Sequence, residues 1–389
     1  MRQNIELTNR FKSIMTLSRV ERNDPALRHL KVSDLGVTRE GSGYYWPSES
    51  AELARLGDAI GANTKLQRLI IRRANALVEM GANNAAFLEG INRNTSISYL
   101  SLSSYDLSGV MGHVVNEFVA NNSILTTIVL RSCTLGLGNG GTRILNSALT
   151  SCTNLNRIGI LGCNVAEDIL VDVVLGIRGL HQLRMLFLQG ENFGTAGCEA
   201  LATLLRDPNG NLRHLHLDDS DRIDDDCAII LANALKGSSK LRNIKFSRNS
   251  TITGRGWDAF SQFLCDTSSV NATYLSNHTL KNLEVVNLPT NLSSLLELNR
   301  GTDKEQVATQ KILRHHTRLD MEPFLEWDLG VLPPVVNCFD RARDGAQNEE
   351  FNVDAKKLSA IYQFAKAKPL MFVPPFNKAT SKRKICEIN

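Results

Sequence analysis

The sequence predicts an α/β fold in which parallel inner strands and outer helices alternate to build a curved solenoid. Three observations predict this fold: one short apolar pattern recurs along the chain, its interval is nearly constant, and a helical pattern follows most of its copies. Aromatic residues make up only 6% of the 389 residues, which suits the thin, repetitive core of a stacked array better than one large core.

The recurring pattern, apolar-x-x-apolar-x-apolar, predicts the strand of each unit. Its three apolar side chains are expected to point inward, towards the helix of the unit. Eight copies are clear, and a ninth, at Val270, Thr273 and Leu275, is weak. Successive copies begin 39, 31, 28, 30, 28, 29, 29 and 29 residues apart. The copies begin at Leu27, Leu66, Ile97, Leu125, Leu155, Leu183, Leu212, Leu241 and Val270.

The residues between the copies predict one helix per unit. Apolar residues recur at helical spacing over residues 197–205, and residues 227–235 and 257–264 behave in the same way in the next two units. Cys198 and Cys227 hold equivalent positions in two of these helices, so we expect them to pack in the core. A single unit cannot bury its apolar face, and stability must therefore be shared between neighbours.

The pattern, the 28–29-residue period and the full helix per unit resemble leucine-rich repeats of the ribonuclease-inhibitor-like class. The resemblance covers residues 20–290, and it implies a ladder of Asn or Cys side chains that bond backbone groups in the turn after each strand. Cys133, Cys163 and Asn249 match this ladder, whereas Tyr105, Glu191 and Ser220 depart from it, so the ladder is expected to be irregular.

Both ends of the array are expected to be covered, because an open solenoid end would expose its core. Residues 1–20 predict a helical N-terminal cap, residues 21–288 about nine repeat units, and residues 289–372 a helical C-terminal cap. Within this cap, a capping box over residues 302–305 opens one helix, and residues 355–366 predict another. Residues 373–389 predict a disordered tail.

Charge and composition argue against several functional classes. The net charge is only +4, from 44 basic and 40 acidic residues, so no global field attracts nucleic acid or a membrane. The N-terminus lacks the apolar region of a secretory signal, and no stretch approaches the ~18 apolar residues of a membrane span. The eight cysteines are too few for a disulfide framework, so we expect reduced thiols in a cytoplasmic, or nucleocytoplasmic, protein.

A glycine-rich segment, residues 136–141, satisfies G-x-G-x-x-G between a predicted strand and helix, which is the context of a dinucleotide fingerprint. Other units also carry glycines at this turn, and the next strand ends without an acidic residue for a ribose. The sequence therefore favours a turn, and we expect no cofactor. No nucleophile motif is present, so we expect no enzymatic activity.

Two histidines and an aspartate, His214, His216 and Asp218, alternate along one strand and could in principle hold zinc. Their predicted neighbours are Phe187 and Lys245 beside His216, and Met185 and Asn243 beside His214. A neighbouring lysine disfavours a cation, so we predict surface histidines and no metal site. The aspartate-rich run 218–226 lacks EF-hand spacing and is interpreted as a solvated acidic loop.

Basic residues gather at the outward strand positions and at the two residues after each strand, which together would form the concave face of the eight units from Leu66 onward. Ten basic residues there face only two acidic ones, and aromatic and methionine side chains lie between them. This composition is typical of protein-binding anchors. The basic residues are Arg68, Arg72, Arg73, Arg131, Arg157, Arg184, Arg213, Arg242, Lys245 and Arg248, the acidic ones Asp218 and Asp219, and the others Tyr99, Met185, Phe187 and Tyr274.

The leading hypothesis is a protein–protein interaction scaffold that binds an acidic patch of a protein partner. Arg184, Arg213 and Arg242 hold the same position in three consecutive units, which predicts an arginine row about 5 Å apart per strand. The predicted partner-binding residues are Arg157, Arg184, Phe187, Arg213, His216, Arg242, Lys245 and Tyr274.

Two alternatives remain open. A resemblance to GTPase-activating proteins built on the same repeat class implies a regulator of small GTPases. The arginine row could instead bind single-stranded RNA, although few aromatic residues stand on the face for base stacking. Membrane binding is not expected.

Overall fold

The computed structural model describes residues 13–33, 43–45, 50–72, 82–105, 107, 110–135, 149, 151–236, 238–248 and 251–316. The chain forms two units. The first contains Met1–Leu264 and Thr279–Glu297, and the second contains Cys265–His278 and Leu298–Asn389.

Ten parallel strands of the described chain form one open sheet in the first unit. Their order is β10-β9-β8-β7-β6-β5-β4-β3-β1-β2, so from β3 to β10 every strand pairs with its neighbours in sequence. The predicted solenoid of parallel strands is therefore confirmed. The strands are β1 His29–Val32, β2 Gly43–Tyr45, β3 Arg68–Arg72, β4 Tyr99–Ser103, β5 Thr127–Arg131, β6 Arg157–Leu161, β7 Met185–Gln189, β8 His214–His216, β9 Asn243–Lys245 and β10 Asn282–Glu284.

Helices separate most of these strands, as the periodicity predicts. Residues 13–21 are also helical, within and just beyond the predicted N-terminal cap. The labelled helices are α1 Ser50–Ala62, α2 Ala82–Asn92, α3 Val110–Asn121, α4 Glu167–Gly176, α5 Thr195–Leu205, α6 Asp225–Leu235, α7 Gly254–Leu264, α8 Val270–Tyr274, α9 Thr290–Asn299 and α10 Lys304–His315.

The core lies between the inward side chains of the strands and the buried faces of the helices. In β7, Leu186 and Leu188 are fully buried, whereas the residues that alternate with them are half-buried. Directly after β9, the ring of Phe246 lies 5.9 Å from that of Phe260 in α7. Cys198 and Cys227 are fully buried in α5 and α6, which confirms that they pack in the core.

Carboxylates of one repeat cap the helix of the next repeat. Glu167 Oε1 in α4 accepts hydrogen bonds from the backbone N–H groups of Gly194 (3.0 Å) and Gly197 (3.1 Å) at the start of α5. Asp225 Oδ1 in α6 accepts from the N–H groups of Thr253 (2.7 Å) and Gly256 (3.1 Å) at the start of α7. Because the first N–H groups of a helix lack partners within it, these contacts stabilise the starts of both helices. They also hold adjacent repeats together.

The ninth predicted strand is wrong. Residues Val270–Tyr274 form helix α8, and the Ser269 hydroxyl caps it by accepting from Ala272 N at 3.0 Å. Leu275, which the pattern places in the core, is 66% exposed. The last strand is β10 instead, because Leu280 and Leu283 are buried there and repeat the spacing of the earlier strands. Helix α8 is thus an insertion in the sequence between strands β9 and β10, which pair with each other directly.

In the second unit, α8 and α10 pack against each other. Asp303 caps α10, since its side chain accepts from the N–H groups of Glu305 (3.0 Å) and Gln306 (3.2 Å). The predicted helix is confirmed, but its capping residue is Asp303 and not Thr302, because the carboxylate reaches both amides. The predicted helix at 355–366 and the predicted tail at 373–389 lie outside the described residues.

A fully buried lysine, Lys311, occupies the interior of the second unit. Its Nζ donates to the carbonyl of Asn277 at 2.8 Å and lies 3.2 Å from His278 Nδ1. His278 Nε2 lies 2.9 Å from the Tyr274 carbonyl and donates to it, so Nδ1 is left to accept from the lysine. The pKa of Lys311 is lowered to about 7, chiefly by burial, with Cys265 opposing this shift and the charge of Lys304 adding to it. Burial also lowers the pKa of His278 to about 4.

We expect Gly57→Ala to destabilise the protein by about 1–2 kcal/mol in urea unfolding. A Cβ at Gly57 in α1 would lie 2.6 Å from Phe87 Cα and 2.7 Å from Phe87 O in α2, so backbone would have to move. Because the obstructing atoms are backbone, the cost of overpacking should lie in the upper part of its range, about 2–3 kcal/mol, and it is offset by about 1 kcal/mol from helix propensity. Gly254→Ala is the control, because its Cβ meets open space. Equal stability of the two variants would contradict this close helix contact.

We expect Lys311→Met to remove a pH dependence of stability. Between the folded pKa of about 7 and the ordinary value of about 10.4, the unfolded chain binds a proton that the folded chain does not. Stability should therefore rise with pH across this window, by up to about 1.4 kcal/mol per pH unit. Thermal unfolding of the full chain at several pH values measures the slope, and Lys236→Met, at an exposed position, should keep it. A Lys311→Met protein with the wild-type slope would contradict the assignment.

Candidate functional site

The outward side chains of β3–β10, together with the residue before each strand, form one surface, the strand face. Strand pairing fixes which residues lie side by side on it. Phe187 and Lys245 flank His216, and Met185 and Asn243 flank His214. The neighbours predicted from the sequence are therefore confirmed.

Four basic residues, the basic row, lie side by side at the start of β7, β8, β9 and β10. They are Arg184, Arg213, Arg242 and Lys281. Backbone hydrogen bonds join them directly: Arg213 N donates to Arg184 O (2.8 Å), Arg242 N to Arg213 O (2.9 Å), and Lys281 N to Arg242 O (2.8 Å). Neighbours in the row are therefore one strand apart, about 4.8 Å. The sequence missed Lys281, because the last strand was predicted too early.

The three arginines of this row are available for a ligand. Arg184 and Arg242 are exposed, and Arg213 is half-buried. Within the described part of the chain, none of the three forms an ion pair with a carboxylate. The arginine row predicted from the sequence is thus present, and no carboxylate of the described residues compensates its positive charges.

An amide and imidazole ladder runs beside the basic row. Asn282 Nδ2 donates to Asn243 Oδ1 at 2.7 Å, so Asn243 presents its Nδ2 to His214 Nδ1 at 2.6 Å. His214 Nδ1 therefore accepts, and the proton of the neutral ring lies on Nε2. Burial lowers the pKa of His214, and the nearby His216, Arg213 and Arg242 lower it further. The ladder is uncharged and fixed in orientation.

An aromatic cluster lies further along the same strands. The rings of Phe187 and His216 are 4.4 Å apart with an interplanar angle of 41°. The Arg157 guanidinium lies 4.5 Å from the centre of the Phe187 ring, within the range of a cation–π interaction. The structure therefore brings these three predicted residues together. A second pair of this kind is formed by Arg68, 3.9 Å above the ring of Tyr99.

Two further cations, Lys245 on the strand face and Arg248 in the turn after β9, are paired with carboxylates. Lys245 Nζ lies 3.6 Å from Glu284 Oε2 and 3.9 Å from Asp218 Oδ2. Arg248 Nε lies 2.6 Å from Asp219 Oδ1. The sequence did not count Glu284, because β10 was not predicted. The arginines of the basic row therefore differ from Lys245 and Arg248. Further arginines on β3, β5 and β6 likewise form no ion pair with a described carboxylate, namely Arg68, Arg72, Arg131 and Arg157.

One of the predicted surface residues, Tyr274, does not lie where the sequence places it. Tyr274 belongs to helix α8 of the second unit and not to a strand, since Ser269 starts a helix there. It is therefore not one of the outward strand residues that make up the strand face. Arg73 lies outside the described residues, as does the glycine-rich segment 136–141.

The aspartate run is only partly a solvated loop. Asp218 is 4% exposed, and its Oδ1 accepts from Ser247 N at 2.9 Å. Asp224 caps α6 through Cys227 N, and Asp225 caps α7 as described above. These carboxylates satisfy backbone amides, which is why so many occur together. Among the described residues, no group of three or more His, Cys, Asp or Glu side chains could hold a metal ion.

The turn ladder after the strands includes a residue that the sequence pattern rejects. Cys133 Sγ contacts the Leu102 carbonyl at 3.6 Å, and Cys163 Sγ contacts the Leu130 carbonyl at 3.7 Å. Glu191 continues the ladder, because its carboxylate accepts from Cys163 N at 2.7 Å and Val165 N at 2.8 Å. Burial raises the pKa of Glu191, and the two amide bonds counteract this increase. Asn249 lies outside the described residues.

The parallel sheet and the repeated strand–helix unit define the fold as a leucine-rich-repeat solenoid. No protein-family model matches the chain, and no curated protein matches it. Within the described residues, no helix is long and apolar enough to cross a membrane.

Several solved structures are similar to the chain. An internalin from Listeria monocytogenes is 14% identical, and the match covers 72% of this chain and 86% of that chain with a TM-score of 0.34. The tropomodulin C-terminal domain of Caenorhabditis elegans is 12% identical over 44% and 93% of the two chains, with a TM-score of 0.30. A TLR13–ssRNA13 complex is 15% identical over 70% and 38%, with a TM-score of 0.37.

We expect the Arg213→Gln/Arg242→Gln variant to raise the pKa of His214 towards its ordinary value, because two positive charges near the imidazole are removed. Titration of the imidazole nitrogens by NMR measures this change and also shows whether the neutral ring carries its proton on Nε2. Lys236→Gln is a matched control away from the strand face and should leave the titration of His214 unchanged. An unchanged pKa in the double variant would show that the arginines point away from the imidazole.

Proposed function

We propose that the chain is a protein-interaction scaffold whose strand face binds an acidic segment of a partner protein. The observation that carries this proposal is the basic row, in which Arg184, Arg213 and Arg242 are held in register and form no ion pair with any carboxylate of the described residues. We also assign the repeats to the ribonuclease-inhibitor-like class, because full helices alternate with strands and two thiols contact backbone carbonyls in the turns.

Electrostatics supports an anionic ligand. Guanidinium groups on neighbouring strands repel one another, and carboxylates that bind between them relieve this repulsion while forming charge-assisted hydrogen bonds. Elsewhere on the same face, Lys245 and Arg248 already have such partners within the chain. Within the described residues, Arg184, Arg213 and Arg242 differ from these two cations because no carboxylate forms an ion pair with them. In the proposed complex, the partner supplies these carboxylates.

The aromatic cluster adds an apolar anchor beside the charges. Phe187, His216 and Arg157 are half-buried, so they are ordered but still accessible to a ligand. Arginine and aromatic side chains dominate the binding energy of many protein interfaces. A partner segment that carries both carboxylates and an apolar side chain fits this surface best.

We expect the Arg184→Glu/Arg213→Glu/Arg242→Glu variant to weaken binding of a fluorescent glutamate-rich peptide about a hundredfold. Each exposed ion pair contributes up to about 1 kcal/mol, and about 1.4 kcal/mol corresponds to a tenfold change in Kd. Fluorescence anisotropy at low and high salt gives the affinities. The same peptide with glutamine in place of glutamate should bind neither protein.

The matched control is the Lys65→Glu/Arg206→Glu/Lys236→Glu variant, which changes the net charge equally at exposed positions away from the strand face. It should retain nearly wild-type affinity, and all three proteins should unfold at similar temperatures. Binding that survives the first triple variant, or that both variants lose equally, contradicts the proposal. A single-stranded RNA oligonucleotide that binds through the basic row while the acidic peptide does not would favour the RNA alternative.

A further inference from the structure

We infer that the partner segment is an α-helix that lies across strands β7–β10, with one acidic side chain per turn directed at the basic row. This inference rests on the proposed function and specifies its partner. It follows from the spacing of the basic row, from the distance between this row and the aromatic cluster, and from the uncharged ladder between them.

The spacing of the basic row matches a helix and not an extended chain. Backbone hydrogen bonds place Arg184, Arg213, Arg242 and Lys281 one strand apart, so they lie about 4.8, 9.6 and 14.4 Å from the first member. Helix positions i, i+3, i+7 and i+10 lie about 0, 4.5, 10.5 and 15 Å along the axis. Residues on the same face of an extended strand lie about 6.7 Å apart. The fourth acidic residue of an extended partner would therefore lie about 6 Å beyond the fourth member of the basic row.

The width of the surface also matches one helix. Phe187 follows Arg184 by three residues and His216 follows Arg213 by three, so about 10 Å of strand separates the basic row from the aromatic cluster. An α-helix with its side chains is about 10–12 Å wide. A helix that crosses the strands would therefore set its acidic residues against the basic row and an apolar residue against Phe187 and His216.

The ladder beneath the helix axis suits this arrangement. Hydrogen bonds link His214, Asn243 and Asn282 across three strands, so their side chains hold one another in place and carry no charge. Because the ladder between the basic row and the aromatic cluster is uncharged, the side chains of the bound helix that face it need not carry a charge. At the far end of the cluster, Lys245 is paired with Glu284 and Asp218. The apolar contact is therefore confined to β7 and β8, which gives the bound helix a defined register.

Two synthetic peptides test the inference with the full chain. The first, of about 14 residues (about 21 Å as a helix), is cross-linked into a helix and carries Glu at i, i+3, i+7 and i+10 and Leu on the adjacent flank. The second has the same length and number of Glu and Leu residues, but its Glu residues alternate and prolines exclude the helix. We expect the helical peptide to bind at least tenfold more tightly, and the triple arginine reversal to abolish its binding.

A second variant pair tests the apolar flank. Phe187→Ala should weaken binding of the helical peptide about tenfold, because its Leu loses the aromatic contact. Tyr99→Ala removes a ring from β4, away from the basic row, and should leave the affinity unchanged. Equal effects of the two substitutions would overturn the proposed position of the helix.

The outcomes separate the two proposals. If the extended peptide binds as tightly as the helical one, and the triple reversal abolishes both, the helical partner is wrong and the acidic partner stands. If neither peptide binds the wild-type protein, or if binding is insensitive to the triple reversal, both proposals are wrong.

Discussion

Backbone pairing between consecutive parallel strands is the constraint on which the rest of the molecule depends. From β3 to β9, each strand pairs with the next in the same register, so equivalent residues of successive units lie side by side. This pairing aligns the inward leucines into a continuous core. It also aligns the outward residues into rows. Arginines that occupy the same position in successive repeats therefore lie side by side, about 4.8 Å apart from one strand to the next. The candidate surface is therefore a direct consequence of the repeat.

The repeat made much of the fold and part of the site predictable. Apolar spacing located eight strands, and a constant interval gave the cross-strand neighbours of His214 and His216. The last strand was missed because helix α8 precedes it in the sequence and lengthens the interval between strands. In addition, the weak pattern at Val270 fitted the expected interval and was wrongly predicted to be the strand. This one error removed Lys281 and Glu284 from the predicted surface and added Tyr274. The apolar residues Leu280 and Leu283 carried the signal that could have found β10.

Sequence patterns also could not separate structural polar residues from those open to a ligand. Glu191 departs from the ladder motif but performs its role, because a carboxylate can accept from two backbone amides as well as a thiol or an amide can. Asp218 and Asp225 are likewise committed to backbone groups. Lys245 is likewise committed to carboxylates, whereas Arg184, a cation on the same face, forms no ion pair with a carboxylate in the described part of the chain. Only the contacts of each side chain reveal this difference.

Disulfide cross-linking tests the central claim, that the arginines stand side by side in register on one surface, most directly. In an Arg213→Cys/Arg242→Cys protein the two Cα atoms should lie about 4.8 Å apart, within the range of about 4.4–6.8 Å that a disulfide requires. Mild oxidation and peptide mapping should then find this bond, and should find none in Arg213→Cys/Lys245→Cys, where the second cysteine is three residues further along the strand. Cross-linking of the second pair, or failure of the first pair to cross-link, would contradict the register on which the binding surface is built.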